Sequence, residues 1–139
     1  REAAKLVVKK IKEIAKGAPA VLTGDFNVDQ TNEIYSIFTS SGILEDSYIK
    51  ARHRFCENGS FYDFHPEYTT TSRIDHVFLS PKFEVERYGL LTNMYWTETA
   101  AEQPDLKSTQ APGETSFRQS TLRTPSDHYP VLVKIKYKK

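Results

Sequence analysis

The stretch that most constrains this chain is residues 2–27, where a helical pattern gives way to a short strand ending in polar groups. Ala3, Val7, Ile11 and Ile14 recur at helical spacing, with Ala4, Val8 and Ala15 beside them. Lys5, Lys9, Lys12 and Lys16 line the opposite side. Gly17 stops this helix and Pro19 prevents it resuming. Ala20-Val21-Leu22-Thr23 then places apolar residues at successive positions, the pattern of a strand buried on both faces. It ends in Gly24-Asp25-Phe26-Asn27, so a carboxylate and an amide stand where a strand meets a loop.

The rest of the chain mixes helices and strands, and reads as an α+β fold. A second helix is expected after Asp29 or Thr31, either of which can cap it, with Ile34, Ile37 and Phe38 as its apolar stripe and Gly42 at its end. Residues 44–49 suggest a short extended piece, and residues 68–71 an edge strand. Residues 50–67 lack periodicity and carry the Asn58-Gly59 turn signal, so they read as a loop. Residues 74–79 are β-branched and aromatic, and end at Ser80-Pro81. In residues 83–91, Phe83, Val85, Arg87 and Gly89 alternate with Glu84, Glu86, Tyr88 and Leu90, and the two strands could form a hairpin around Pro81-Lys82. Residues 93–124 are rich in Thr, Gln, Ser and Pro, long for a structureless loop, and suggest a lid or an insertion. Residues 131–137 alternate as a last strand. Nothing marks a domain boundary within the 139 residues.

Charge argues about partners. Residues 1–16 hold six Lys/Arg against two Asp/Glu, and residues 131–139 hold four Lys. The stretch between them holds nine basic and sixteen acidic residues. An acidic middle suits a cation site and speaks against gripping long nucleic acid through a basic face. Cys56 is the only cysteine, so an intrachain disulfide and a thiolate metal cluster are both excluded. No apolar run approaches the ~20 residues that span a bilayer.

Three short motifs carry chemistry. Asp25 and Asn27 lie two apart at a strand end, where sheets present ligand-binding groups, and both point to one side if the chain stays extended. The same two residues can instead bond their own backbone in an Asx turn. Ser126-Asp127-His128-Tyr129-Pro130 sets an acid and an imidazole side by side; both serve one site only if the chain turns there. Arg73-Ile74-Asp75-His76 puts an acid in an apolar strand, which is costly unless the acid is paired. A histidine is the natural partner, since a carboxylate fixes the imidazole tautomer and raises its basicity. His76 neighbours Asp75 and so faces the other way in a strand, which leaves His128 as the better candidate and a structural role for His76.

Taken together and in this order, Gly24-Asp25-Phe26-Asn27, Arg73-Ile74-Asp75-His76-Val77-Phe78 and Ser126-Asp127-His128-Tyr129-Pro130-Val131 resemble the endonuclease/exonuclease/phosphatase superfamily. Its members include DNase I-like nucleases, abasic-site endonucleases, sphingomyelinases and inositol-phosphate phosphatases. The resemblance runs along essentially the whole chain but matches only the C-terminal half of the family's domain. It implies part of a four-layer α/β/β/α sandwich, with mostly one mixed or antiparallel sheet and outer helices supplied here. It also implies a metal-dependent hydrolase of phosphate esters, acting by in-line attack of an activated water. Asp25 would orient or deprotonate that water. Asn27 would hold a phosphate oxygen, Asp127 would join the metal-binding cluster, and His128 would contact the scissile phosphate with Asp75 as its buried partner. Mg²⁺ is the implied cofactor, with Mn²⁺ also suited to oxygen ligands.

The resemblance leaves two parts of the family's site without a counterpart here. The principal metal-binding glutamate and a second catalytic histidine belong to an N-terminal half upstream of a helix like residues 2–16. The expected partner is therefore that missing half of the same domain, and residues 1–139 alone are expected to be inactive. Arg52, Arg54, Phe61 and Phe64 could stack on a sugar or base and hold phosphate, though the phenylalanines could equally pin their loop to the core. The substrate could be nucleic acid, a lipid headgroup or a small phosphodiester. The rival reading is a non-catalytic ligand- or protein-binding module that keeps the fold.

Overall fold

The computed structural model of this chain describes residues 1–65, 67–98 and 120–138. It divides into two compact units, Arg1–Thr92 with Asp127–Lys139, and Asn93–Ser126.

The first unit begins with α1 (Glu2–Ala15), which turns Ala4, Val7, Val8 and Ile11 into a core. Ile14, expected on that stripe, is exposed. Lys16 closes the helix in the left-handed conformation, its N–H donating to the Lys12 carbonyl at 3.2 Å. After β1 (Val21–Asp25) comes α2 (Glu33–Thr39), capped by Asn32, whose side-chain oxygen accepts the Ile34 N–H at 2.9 Å. Asp29 does not cap it; its carboxylate binds the N–H and hydroxyl of Thr31, forming the turn before the helix. The extended piece expected at 44–49 lasts only for β2 (Glu45–Asp46), because the Asp46 carboxylate caps a helical turn, α3 (Ser47–Lys50). The expected loop at 50–67 contains β3 (His53–Phe55), while residues 68–71 form no strand.

β4 (Asp75–Leu79) and β5 (Phe83–Leu90) do not form a hairpin. β4 is the centre of a sheet ordered β1-β4-β2, and β5 the centre of a second sheet ordered β3-β5-β8, where β8 is Val131–Tyr137. With β1 and β2 on its two edges, β4 has no edge to offer β5. The tight turn in which Phe83 N–H meets the Ser80 carbonyl at 3.2 Å carries the chain from one sheet to the other. The α+β class stands, with its strands divided between two three-stranded sheets rather than gathered mostly in one.

β4 separates two cores. Phe78 is fully buried against Ala4, Phe38 and Leu44 under the two helices. Val77 and Leu79, on the opposite face, pack with Tyr62, Val85, Tyr88, Leu90 and Tyr129 between the sheets. Strand alternation alone makes this division. In β5 the alternation breaks: Val85 is buried, and so are Tyr88 and Leu90. A bulge between Val85 and Arg87 adds one residue and flips the inward face. β1, expected to be buried on both faces, turns Leu22 to the helical core but leaves Val21 about half exposed, at 51%.

In the second unit, β6 (Tyr95–Glu98) pairs antiparallel with β7 (Ser120–Arg123). The lid or insertion expected over 93–124 thus carries a short ladder near its two ends, and its middle, residues 99–119, lies outside the described residues. No helix among the described residues is long and apolar enough to cross a membrane.

Candidate active site

Strand register brings the first two motifs together. β1 and β4 run antiparallel, with Thr23 opposite Val77 and Asp25 opposite Asp75. Directly opposed residues share one face of a sheet, with β-carbons about 4.5–5.5 Å apart. Asp75 therefore faces away from the helices with Val77 and Leu79, and Asp25 stands beside it. Two carboxylates in such a pair repel unless a positive group lies between them or close by.

His128 is the group that meets this pair. Its Nδ1 bonds Asp75 Oδ2 at 2.8 Å. The acceptor is a carboxylate, so Nδ1 carries the proton and Nε2 is the ring's outward atom. The Asp75 hydrogen bond raises the His128 pKa above the ordinary imidazole value, and the charges of Asp75, Asp127 and Asp25 add to that rise against a smaller opposing effect of burial. Asp25 and Asp127 thus lie within electrostatic reach of the ring.

Asn27 joins the group by a turn rather than by strand alternation. β1 ends at Asp25, and Asn27 adopts φ 52°, a left-handed conformation that Asn tolerates better than most residues. Its N–H donates to Asp25 Oδ1 at 2.8 Å and its side-chain amide to Asp25 Oδ2 at 3.4 Å. The Asx turn and the site arrangement are thus the same structure: the turn is what aims Asn27 at Asp25.

The segment 60–62 supports the site from below. Phe61 forms a β-bridge with His128, and their rings lie 4.9 Å apart. On either side of that bridge, Tyr62 N–H donates to the Asp127 carbonyl at 3.0 Å and Tyr129 N–H to the Ser60 carbonyl at 2.7 Å. The chain bends at Asp127, just before this bridge, and the Asp127 charge acts on the His128 ring. Of the four proposed substrate contacts, only Phe61 touches this group. Phe64 is exposed, with φ 59°. Arg52 and Arg54 are engaged elsewhere, Arg52 with Glu84 at 3.0 Å and Arg54 with Glu57 at 3.4 Å and over the Tyr48 ring.

His76 has a structural place. It is buried among Phe26, Tyr35 and Phe78, and its Nε2 donates to the Val28 carbonyl at 3.1 Å. Burial lowers its pKa, because protonation would put a second N–H on Nδ1, which has no partner among the described residues. A feature that the sequence reading missed lies beside it. Buried Arg73 binds buried Asp46 at 3.0 Å and stacks over Tyr48 with 3.8 Å to the ring centroid. Tyr35 hydroxyl also donates to Asp46 at 2.8 Å, and burial pushes its pKa up to about 12. Arg73 in the Arg73-Ile74-Asp75 string was the available signal.

The oxygen donors of Asp25, Asn27 and Asp127 suit a hard divalent cation in kind. In number they fall short: among the described residues no three Asp, Glu, His or Cys side chains are grouped to hold a metal ion.

A two-sheet α+β chain with a carboxylate-buttressed histidine at the strand ends defines the class. The chain belongs to the Endonuclease/Exonuclease/phosphatase family, whose profile it matches over residues 2–128. It is similar to a mannosyl-6-phosphatase from Bacteroides thetaiotaomicron VPI-5482, with 45% identity and a TM-score of 0.81 over 98% of this chain and 45% of that one. A family protein of the same species is 45% identical at a TM-score of 0.80, over 96% of this chain and 44% of its own. One from Bacteroides vulgatus is 26% identical at 0.68, over 98% and 43%. This chain therefore spans less than half the length of the structures it matches. None of the curated proteins matches it.

Proposed function

We propose that this chain is part of a metal-dependent phosphoester hydrolase, and that its substrate is a small phosphate monoester of the sugar-phosphate kind. The reading rests above all on the opposed Asp25–Asp75 pair with His128 bonded into it. Such a cluster is costly for stability and useful for catalysis. The likeness to a mannosyl-6-phosphatase favours a phosphatase over a nuclease, as does an acidic middle of the chain, which suits a small anion held with a cation better than a polynucleotide.

Each residue has a role. Asp25, tied to the turn by Asn27, accepts a proton from the attacking water and orients it. Asn27 donates to a phosphate oxygen without adding negative charge. His128 presents Nε2 to another phosphate oxygen, while the Asp75 bond orients the ring and raises its basicity. Phe61 packs on the His128 ring and offers its exposed edge to the substrate's carbon skeleton. Mg²⁺, or Mn²⁺, would be bound by Asp127 together with ligands from the rest of the longer protein. When bound it would neutralise charge on the transferring phosphoryl group.

The test uses the full-length protein with mannose 6-phosphate and p-nitrophenyl phosphate. Phosphate release should depend on Mg²⁺ and stop with EDTA. Asp25→Ala, Asn27→Ala and His128→Ala should each lower kcat by about 10²-fold or more, the scale of a lost acid–base or electrostatic group. Wild-type turnover in His128→Ala would sink the role assigned to His128, and no phosphate release from the wild-type protein would favour a binding module instead.

A further inference from the structure

We propose that Ser60 is a positioning residue for the Asp75–His128 pair, a role that rests on the function proposed above. Ser60 is fully buried, with 0% exposure. Its hydroxyl oxygen accepts two backbone N–H groups, those of Ile74 and Asp75, each at 3.1 Å. Its own N–H donates to the Ser72 carbonyl at 3.2 Å, and its carbonyl accepts the Tyr129 N–H at 2.7 Å. One residue thus holds the strand start that carries Asp75 and the segment that carries His128.

The two N–H groups at the start of β4 need an acceptor. All of β4 pairs with β1, from Leu79 opposite Val21 to Asp75 opposite Asp25, and the register stops short of Ile74. A buried N–H without an acceptor costs about 1–3 kcal/mol. Ser60 meets both with one oxygen, because a hydroxyl has two lone pairs. This fixes the backbone from which Asp75 extends. Since Asp75 meets His128 at 2.8 Å, a shift of a few tenths of an ångström in that backbone lengthens the bond that orients the imidazole.

Local packing keeps Ser60 in place. A β-carbon at Gly59 would collide with the Ser72 carbonyl and the Thr70 side chain. Gly59 N–H also bonds the Thr70 carbonyl. The segment before β4 can therefore lie directly against the Gly59-Ser60 backbone, with the serine hydroxyl within hydrogen-bond reach of Ile74 and Asp75.

The experiment pairs Ser60 variants with Asp75→Asn in the full-length protein, with p-nitrophenyl phosphate and Mg²⁺. Ser60→Cys keeps the shape but offers only a weak acceptor, so it tests the hydrogen bonds even if Ser60→Ala fails to fold. Ser60→Cys should lower kcat about tenfold with KM changed less than about twofold, the scale on which outer partners of a catalytic group act. In the Asp75→Asn background the same change should cost less than about twofold, because its effect passes through Asp75. ¹H NMR gives a readout without turnover: the hydrogen-bonded Nδ1 proton of His128, assigned by its loss in His128→Ala, should move or broaden in Ser60→Cys. Wild-type kcat in Ser60→Cys, an undiminished loss in the Asp75→Asn background, a change confined to KM or an unmoved Nδ1 proton would each overturn the role. Should His128→Ala keep full activity, the role assigned to His128 fails and the Ser60 role with it. Should His128→Ala be inactive and Ser60→Cys normal, only the Ser60 role fails.

Discussion

At the scale of single residues, the site is a set of groups that would harm stability anywhere else. Asp75 is a carboxylate set across from another carboxylate, and its tie to His128 is what makes the position tolerable. Asp75→Asn keeps a similar shape but removes the charge that holds the imidazole. We expect kcat to fall by about 10- to 100-fold, with little loss of folding stability in urea melts. Asp46 should behave in the opposite way. It is buried at 3% exposure and partners the buried guanidinium of Arg73, so Asp46→Ala strands a charge. A loss of about 3–5 kcal/mol in chemical denaturation is expected. His76 supplies a pH dependence. Its folded pKa is depressed by burial, so above the unfolded value both states are neutral and it contributes nothing. As pH falls below that value the unfolded chain takes up a proton that the folded chain refuses, and stability drops by at most about 1.4 kcal/mol per pH unit. Comparing urea midpoints of wild type and His76→Phe from pH 7.5 to 5 should show the variant losing less stability on acidification; parallel slopes would remove His76 from the account.

At the scale of elements, β4 organises the unit. Its alternation sends His76 and Phe78 to the helices, and Asp75, Val77 and Leu79 to the second sheet. The same five-residue strand therefore contributes to both cores and to the site. Phe78 makes ring contacts with Phe26, Tyr35, Phe38 and His76 at centroid distances of 5.2–5.8 Å. Phe78→Ala should cost about 3–5 kcal/mol, as large cavities in well-packed cores do, and thermal melts can measure it. Elements with their own local pattern were legible in the sequence: α1, α2, β4 and β8 fall within a residue or two of where periodicity puts them. The pairing of β5 was not, because edge availability is set by β1 and β2, strands 58 and 34 residues away from Leu79 in the register pairs Val21↔Leu79 and Glu45↔Leu79. The β5 bulge escaped for a related reason: it is fixed by the partner strand β8 and leaves no mark on composition.

At the scale of the whole molecule, α1 and the start of β1 leave an apolar groove lined by Leu6, Ile14, Ala15 and Ala20. The matched structures are more than twice the length of this chain, and among the described residues no three Asp, Glu, His or Cys side chains are grouped to hold a metal ion. Under the proposed function, the site draws its remaining ligands from further sequence. Produced alone, residues 1–139 should self-associate through that groove and show less than about 1% of the full-length kcat, on the scale of lost catalytic groups. Size-exclusion chromatography and phosphate release check this, and a monomer with robust turnover would contradict it.

The sequence by itself determined the class of fold, the identity of the polar groups and their order along the chain. Periodicity, strand-end placement and the cost of an unpaired buried acid are local properties, and three short strings carry them. Tertiary structure alone decided the geometry in which these groups meet, the Asp75–His128 pair being one that the sequence already pointed to. The Asp25–Asp75 opposition comes from antiparallel register, and the His128–Asp75 bond closes across 53 residues of sequence. The bridge that seats His128 comes from the main chain of residues 60–62, whose composition advertises no such role. It also sent Arg52 and Arg54 to other partners, because a surface guanidinium goes to whichever carboxylate the fold brings nearest.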